Sequence, residues 1–185
     1  MRGKFVFITA FILMAGLAYS AYSMNQYSIA DQEEEIYTRL MEWQNRGSDF
    51  KFEMEILDIT QVEDTNSYVV LFETPDRNVG YAQLIKGWNG KFKINQSGWG
   101  DNAVTYSDIQ TDQGIYGILA GKNPDLKIDH ITAITVDEEY EFTASVTDAK
   151  TFVRFEKMPA NLKETFVSDL TFFDEDGQAL NPMRK

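Results

Sequence analysis

The segment at residues 5–22 (FVFITAFILMAGLAYSAY) constrains this chain more than any other. It contains no charge, follows the basic residues Arg2 and Lys4, and precedes an acidic string that begins at Asp31. Apolar side chains gain by leaving water and a helix satisfies its own backbone hydrogen bonds, so the segment suits a bilayer. Because Lys and Arg stay on the cytoplasmic side, the sequence predicts that the chain from about residue 25 onward lies outside the membrane.

Two fates of this segment are open. A secretory signal has an apolar region of about 7–15 residues and small residues at the cleavage site, and the AYS triplets at 18–20 and 21–23 supply them. A membrane-spanning helix needs about 20 apolar residues, with about 17 as the lower limit, and residues 5–22 reach that limit. A buried helix of a soluble protein fits the flanking charges less well. Residues 1–24 are therefore predicted to be a signal peptide of a secreted protein or a single-pass anchor in the cell membrane.

The part of the chain beyond Ser23 is strongly acidic. It contains all 29 Asp and Glu but 15 of the 17 Lys and Arg, a net charge of −14. Such a charge repels phosphate backbones, so no nucleic-acid partner is expected, and it attracts cationic partners. The absence of cysteine excludes disulfides, thiol nucleophiles and cysteine-ligated metals. A core rich in Phe and Tyr must hold the fold instead.

The first part of the exported body, residues 25–110, is predicted to be a helix packed on antiparallel strands. Asp31 is placed to cap the helix, Ile36, Leu40 and Trp43 fall on one stripe, and Gly47 ends it. The hydrophobic period then changes to two. Strands are predicted at residues 50–56, 68–73, 79–86 and 91–96, with Asn-Gly at 89–90 as a hairpin turn.

The second part, residues 111–185, is predicted to be mainly β and packed on the first. The turn-rich segment 98–112 is expected to be the seam between the two parts, and residues 114–120 form a strand or a helical turn. Further short strands are expected at residues 126–134, 140–146, 151–157, 170–173 and 178–180, with a hairpin turn at 137–139. The predicted fold class is α+β.

No catalytic residue, cofactor or metal site is predicted. His130, the only histidine, falls by alternation on an apolar face with Ile128 and Thr132, which favours a structural role, and one His without Cys supports no zinc site. A calcium loop of the EF-hand type requires Gly at its sixth position, whereas the segment 174–177 (DEDG) has Gly at its fourth. The segment is therefore predicted to be a turn.

Two tryptophans flank the predicted Asn-Gly hairpin. Trp88 is expected to cap the edge of the core, whereas Trp99 lies beside a glycine-rich segment. Aromatic residues on exposed segments anchor protein partners or stack on sugars. We therefore expect Trp99 and Tyr106, both on the predicted seam, to be the binding residues for a protein or a cell-envelope component.

Three segments carry a resemblance to known proteins. They are LIKGWNGKFKINQSGWG at 84–100, IYGILAGKNPDLKIDHITA at 115–133 and FFDEDGQAL at 172–180. With the apolar start, they resemble small exported, membrane-anchored proteins of Gram-positive, Bacillus-like bacteria that have no assigned activity. The resemblance implies a location at the cell envelope and a general architecture, and it implies no catalytic residue.

The sequence therefore predicts a non-catalytic extracytoplasmic module that binds a protein or an envelope component. One alternative is a carboxylate-dependent glycoside hydrolase acting on cell-wall material, and another is the sensory domain of a membrane-proximal complex. A binding module predicts an exposed apolar patch. A glycosidase predicts two carboxyl groups about 5–10 Å apart in a cleft, one of them with a raised pKa.

Overall fold

The computed structural model describes residues 2–47, 51–100, 103–136, 140–162 and 165–180. Its first element is the helix α1, Arg2–Gln26. The part of α1 at Phe7–Gln26 has a mean hydropathy of 1.5 and none of it is buried against the body. Among the described residues, this is the one helix long and apolar enough to cross a membrane or to act as a signal sequence, in agreement with the prediction.

The second helix, α2, spans Glu33–Gln44 and packs through Ile36 and Leu40, which are both buried. Its first turn contains three glutamates, which suit the positive end of the helix dipole. The predicted cap at Asp31 is wrong. The N-cap residue is Gln32, and the Asp31 carboxylate instead lies 2.8 Å from the Lys86 ammonium, because an opposite charge on the sheet is within its reach.

Eleven strands among the described residues form three antiparallel sheets. The first sheet has the order β1-β2-β3-β4, the second β5-β6-β9 and the third β11-β10-β7-β8. The strands are β1 Glu55–Gln61, β2 Ser67–Glu73, β3 Val79–Lys86, β4 Phe92–Gly100, β5 Val104–Thr111, β6 Gly114–Lys122, β7 His130–Thr135, β8 Glu141–Ser145, β9 Thr151–Lys157, β10 Val167–Phe173 and β11 Ala179–Leu180. With the apolar N-terminal helix, this mainly antiparallel body confirms the α+β class.

The helix α2 and the three sheets are stacked in four layers. In β2, Val70 and Phe72 pack with α2, whereas Val69 and Leu71 face the second sheet. In β6, neighbouring residues likewise alternate: Tyr116, Ile118 and Ala120 belong to the core with the first sheet, and Leu119 belongs to the core with the third. The central strands are therefore buried on both faces, which explains their continuous apolar runs.

The first strand begins later than the sequence predicts. The strand begins at Glu55, whereas Phe52 lies before it and Phe50 lies outside the described residues. The amide of Asn45, at the end of α2, exchanges hydrogen bonds with the backbone N–H and carbonyl of Phe52. The Asn45 side chain thus satisfies the backbone N–H and carbonyl of Phe52, which would otherwise pair with a neighbouring strand.

The segment predicted to be a turn-rich seam is mostly strand. The strand β4 continues to Gly100 and β5 occupies Val104–Thr111, and β5 pairs with β6 along its whole length. The strand β5 buries Ile109 on the face toward the first sheet and Val104 on the face toward the third. With one strongly buried apolar residue on each face, the strand showed no apolar alternation in the sequence. The division of the body near residue 110 stays a prediction, and the hairpin turn predicted at 137–139 lies outside the described residues.

Gly80 in β3 is predicted to tolerate no side chain. A Cβ atom there would lie 2.3 Å from the ring of Phe72, which is fully buried, and 2.9 Å from the carbonyl oxygen of Gly98. We expect Gly80→Ala to lower the free energy of unfolding by about 1–3 kcal/mol, because the ring must leave its position in a packed core. Urea unfolding of the purified chain measures this.

Gly98→Ala is the matched control on the neighbouring strand. A Cβ atom at Gly98 would meet nothing closer than 3.7 Å, which is an ordinary contact with the ring of Tyr81. We expect this substitution to change stability by less than about 1 kcal/mol. Equal effects of the two substitutions would contradict the packing of Phe72 against Gly80.

Candidate functional site

The first sheet has one end next to α1 and one end away from it. At the proximal end, the Asn89 amide donates to the carbonyl of Tyr27 at 3.0 Å, and Ile29 exchanges two backbone hydrogen bonds with Phe92. From Phe92 the strand β4 runs to Trp99, seven residues further on. A strand rises about 3.3 Å per residue, so Trp99 lies roughly 23 Å along the strand from the proximal end.

A groove opens at this distal end of the first sheet. We call it the distal groove. It consists of two adjoining cavities of about 320 and 240 Å³, which share Glu53, Thr74 and Pro75. Its lining comes from the segment before β1, from the β2–β3 turn and from the end of β4: Lys51, Phe52, Glu53, Met54, Glu55, Glu73, Thr74, Pro75, Asp76, Arg77, Asn78 and Trp99.

Trp99 provides a partly exposed aromatic surface in the distal groove. Its side chain is 48% exposed, and its ring lies 4.6 Å from that of Phe52, centroid to centroid. Phe52 in turn makes an edge contact with the buried ring of Phe72 at 6.0 Å. The exposed indole is thus supported by the core through a second ring, which is the arrangement of a rigid aromatic anchor.

The rim of the distal groove carries three exposed carboxylates and two exposed cations. Glu53, Glu55 and Asp76 are exposed there, and the cations are Lys51 and Arg77. The Arg77 guanidinium lies 3.5 Å from the carboxylate of Glu73, which is buried in the groove. The Arg77 side chain itself is largely exposed to solvent. This balance favours a positively charged ligand.

Glu73 joins the first two sheets at this end. Its carboxylate pairs with the ammonium of Lys122 at the end of β6, and the same ammonium donates to the carbonyl of Arg77 at 3.2 Å. Burial acts to raise the pKa of Glu73, but the positive charges of Lys122 and Arg77 outweigh it and hold the pKa below its ordinary value. The carboxylate is therefore ionised and structurally paired.

Tyr106, the other predicted binding residue, lies in a different layer. It is opposite Leu119 on the face of the second sheet that packs on the third, whereas Trp99 is opposite Gly80 on the α2 face of the first sheet. The Tyr106 hydroxyl donates to the carbonyl of Thr165 at 2.6 Å, and burial raises its pKa. The structure does not bring the two residues together, because two strand registers place them on faces that point apart.

His130 lies on the outer face of the third sheet, and its predicted place on an apolar face is wrong. The buried apolar residues of β7 are Ile131 and Ala133. Residues 127–129 lie before the strand, and Ile128 and Ile131, three positions apart, are both buried, so the alternation shifts by one residue between them. The His130 ring stacks on Phe173 at 4.7 Å, and its Nδ1 lies 2.8 Å from the carboxylate of Asp129.

No nucleophile is paired with His130 in its hydrogen bonds among the described residues. Ser145 is opposite His130 in the ladder, but its hydroxyl bonds with Thr147 and with the carbonyl of Asp129. Hydrogen bonds from His130 and Thr147 lower the pKa of Asp129. These contacts describe a stacked, hydrogen-bonded histidine at the surface.

Two further expectations have clear outcomes. Trp88 is 71% exposed, so it does not cap the core, because it lies inside the turn that the hydrogen bond from the Gly90 N–H to the Gly87 carbonyl closes at 3.0 Å. The turn at 174–177 is confirmed: Asp174 accepts backbone hydrogen bonds from Asp176 and Gln178, and Gly177 has a φ of +74°.

The described residues contain no group of three or more carboxylates and histidines able to hold a metal ion.

Comparison with known proteins finds no relative. No protein-family model matches the chain, and neither a curated protein nor a solved structure matches it. The distal groove is therefore defined by its geometry. Of the groove residues, the sequence indicated only Trp99. The Lys122–Glu73 pair could not be predicted, because its two residues are 49 positions apart and only the fold brings them together.

Lys122→Met is predicted to destabilise the fold at neutral pH. The substitution leaves the Glu73 carboxylate, which is 11% exposed, without its main counter-charge. We expect a loss of about 1–3 kcal/mol, as for a buried charged group that loses its partner. Because the folded-state pKa of Glu73 is lowered, the pair stabilises the fold above the ordinary pKa of glutamate, and this stabilisation disappears as pH falls through the lowered pKa.

Lys127→Met is the matched control for this measurement. Lys127 also pairs with a carboxylate, that of Asp125 at 3.3 Å, but both side chains are mostly exposed. Such a pair contributes at most about 1 kcal/mol. Urea unfolding at a series of pH values compares the two variants. A Lys122→Met deficit that persists unchanged at acidic pH would show that the lost contact is not ionic.

Proposed function

We propose that this protein is a non-catalytic extracytoplasmic module that is anchored at the cell membrane and binds a basic segment of a protein or envelope component in the distal groove. The observation that carries the proposal is the exposed Trp99 ring, which Phe52 supports and which lines a groove with exposed carboxylates on its rim. An aromatic anchor inside a charged rim is the usual anatomy of a protein interface.

The position of the groove supports this proposal. The helix α1 leaves the body at the proximal end of the first sheet, and Trp99 lies roughly 23 Å away along β4. With α1 in the membrane, the groove lies at the end of the first sheet that is away from the anchor. The net charge of −14 beyond Ser23 further favours a cationic one.

The state of Glu73 favours binding over glycoside hydrolysis. A glycosidase needs a carboxylic acid whose pKa is raised, so that it is protonated before it donates. Glu73 is the buried carboxylate of the groove, and its pKa is lowered by Lys122 and Arg77. It therefore suits a structural ion pair and does not suit a general acid.

The proposed topology can be tested with intact cells of a Gram-positive host that expresses the chain. With Lys4 and Arg2 retained inside, we expect protease added from outside to degrade the body while a cytoplasmic marker survives. If the leader is cleaved at one of the AYS triplets, a shortened chain is expected in the medium. Intact chain free in the cytosol would contradict the assignment.

The distal groove can be tested by photo-crosslinking in the same cells. A photoreactive phenylalanine analogue in place of Trp99 is expected to give a protein adduct, because the indole ring would contact the partner directly. The matched control carries the analogue at Leu126, which is 46% exposed, close to the 48% of Trp99, but lies in the loop between β6 and β7, outside the distal groove. No adduct at position 99, or equal adducts at both positions, would contradict the proposal.

The charge of the partner follows from a variant of this experiment. Glu53→Gln combined with Asp76→Asn removes two rim carboxylates while it keeps similar side-chain shapes. We expect a lower adduct yield at position 99 and a weaker dependence on salt, because rim charges act through screened attraction. An unchanged yield would mean that the partner is not recognised by its positive charge.

A further inference from the structure

We propose that the β3–β4 hairpin tip, residues 87–91, is a second membrane contact, in which Trp88 inserts among the lipid headgroups beside α1. This inference rests on the proposed membrane anchoring and adds an orientation to it. The anchor alone would let the body tumble at the end of a linker, whereas a second contact fixes which face of the body points toward the bilayer.

The hairpin tip is attached to the end of α1. The Asn89 amide bonds to the Tyr27 carbonyl at 3.0 Å, and the Tyr27 ring packs over Gly87, where a Cβ atom would lie 2.6 Å from it. Two backbone hydrogen bonds between Ile29 and Phe92 follow, of 3.1 and 2.8 Å. The segment that follows α1 is thus held against the hairpin from Tyr27 onward.

The depth of the tip follows from helix geometry. Tyr22 is an exposed aromatic residue of α1, suited to the membrane interface, and Tyr27 lies five positions further on. At 1.5 Å per residue this corresponds to about 7.5 Å along the helix axis. The headgroup region of one leaflet is about 5–8 Å thick, so a tip that touches Tyr27 lies at headgroup level.

The side chains of the tip and its surroundings suit that level. Trp88, 71% exposed, is the residue type enriched at membrane interfaces, and Lys91 on the same tip is exposed to meet lipid phosphates. Lys93 lies 5.1 Å from the Tyr27 ring. This local positive charge contrasts with the acidic distal groove and offsets the repulsion of the body by anionic lipid.

The nearby acidic groups are already paired. Asp31 lies 2.8 Å from the Lys86 ammonium, and Glu35 and Glu42 share the Arg39 guanidinium, each at 3.0 Å. Arg46, over the ring of Trp43 at 3.5 Å, adds a further positive charge beside the end of α1. The surface around the tip therefore presents cations and aromatic rings toward the side from which α1 departs.

Tryptophan fluorescence of the full chain in lipid vesicles tests this contact. The vesicles contain phosphatidylcholine and phosphatidylglycerol, with bromine on the acyl chains near the headgroup as a quencher. One variant, Trp43→Phe with Trp99→Phe, keeps Trp88 alone, and the control, Trp43→Phe with Trp88→Phe, keeps Trp99 alone. We expect a blue shift and strong quenching for Trp88, and neither for Trp99.

A spin label provides a second measurement that leaves all three tryptophans in place. The chain has no cysteine, so Lys91→Cys and the control Lys51→Cys each offer one attachment site. Lipids with a nickel-chelating headgroup are expected to relax the label at position 91 at least several-fold more than the label at position 51. Equal relaxation of the two labels would contradict the contact.

The outcomes separate this inference from the anchor. Flotation of the vesicles shows whether the chain is bound to lipid at all. A chain that does not float would overturn the anchor, and the hairpin contact with it. A chain that floats while Trp88 stays unquenched and red-emitting would overturn the hairpin contact alone and leave the anchor standing.

Discussion

The burial of the first and second sheets on both of their faces holds this fold together. In a chain without disulfides, stability must come from apolar area removed from water. The strand β2 provides it twice, with Val70 and Phe72 against α2 and with Val69 and Leu71 against the second sheet. The second sheet does the same between the first and the third, so each layer depends on its neighbours.

Polar side chains at the interface of the first two sheets fix how they align. Gln83 is fully buried, and its amide donates to the Ser67 hydroxyl at 3.0 Å and to the Gln110 carbonyl at 2.8 Å, while it accepts from Asn95 at 2.8 Å. A buried amide is costly unless it is satisfied, so only one alignment of the sheets is favourable. The same alignment brings Lys122 to Glu73 and so shapes the distal groove.

The sequence predicted the local elements well and the long-range ones less well. The apolar leader, the helix with Ile36 and Leu40, and the central strands of the first sheet all follow from hydrophobic period and turn residues. The seam at 98–112 was mistaken because the strand β5 shows its apolar residues only at wide spacing. His130 was placed on the wrong face because the alternation shifts by one residue between Ile128 and Ile131, which are both buried. The groove itself required tertiary pairing that no local pattern reveals.

The backbone bridge between Ile29 and Phe92 has a consequence for maturation. Both AYS triplets at which a signal peptidase can cut lie before Tyr27, so removal of the leader spares the bridge and the contact of Tyr27 with Gly87. Processing there would remove α1 up to Ser20 or Ser23, and none of the removed residues whose burial the structure describes belongs to the buried core. A copy without the leader would therefore keep the same folded body as a copy that retains it.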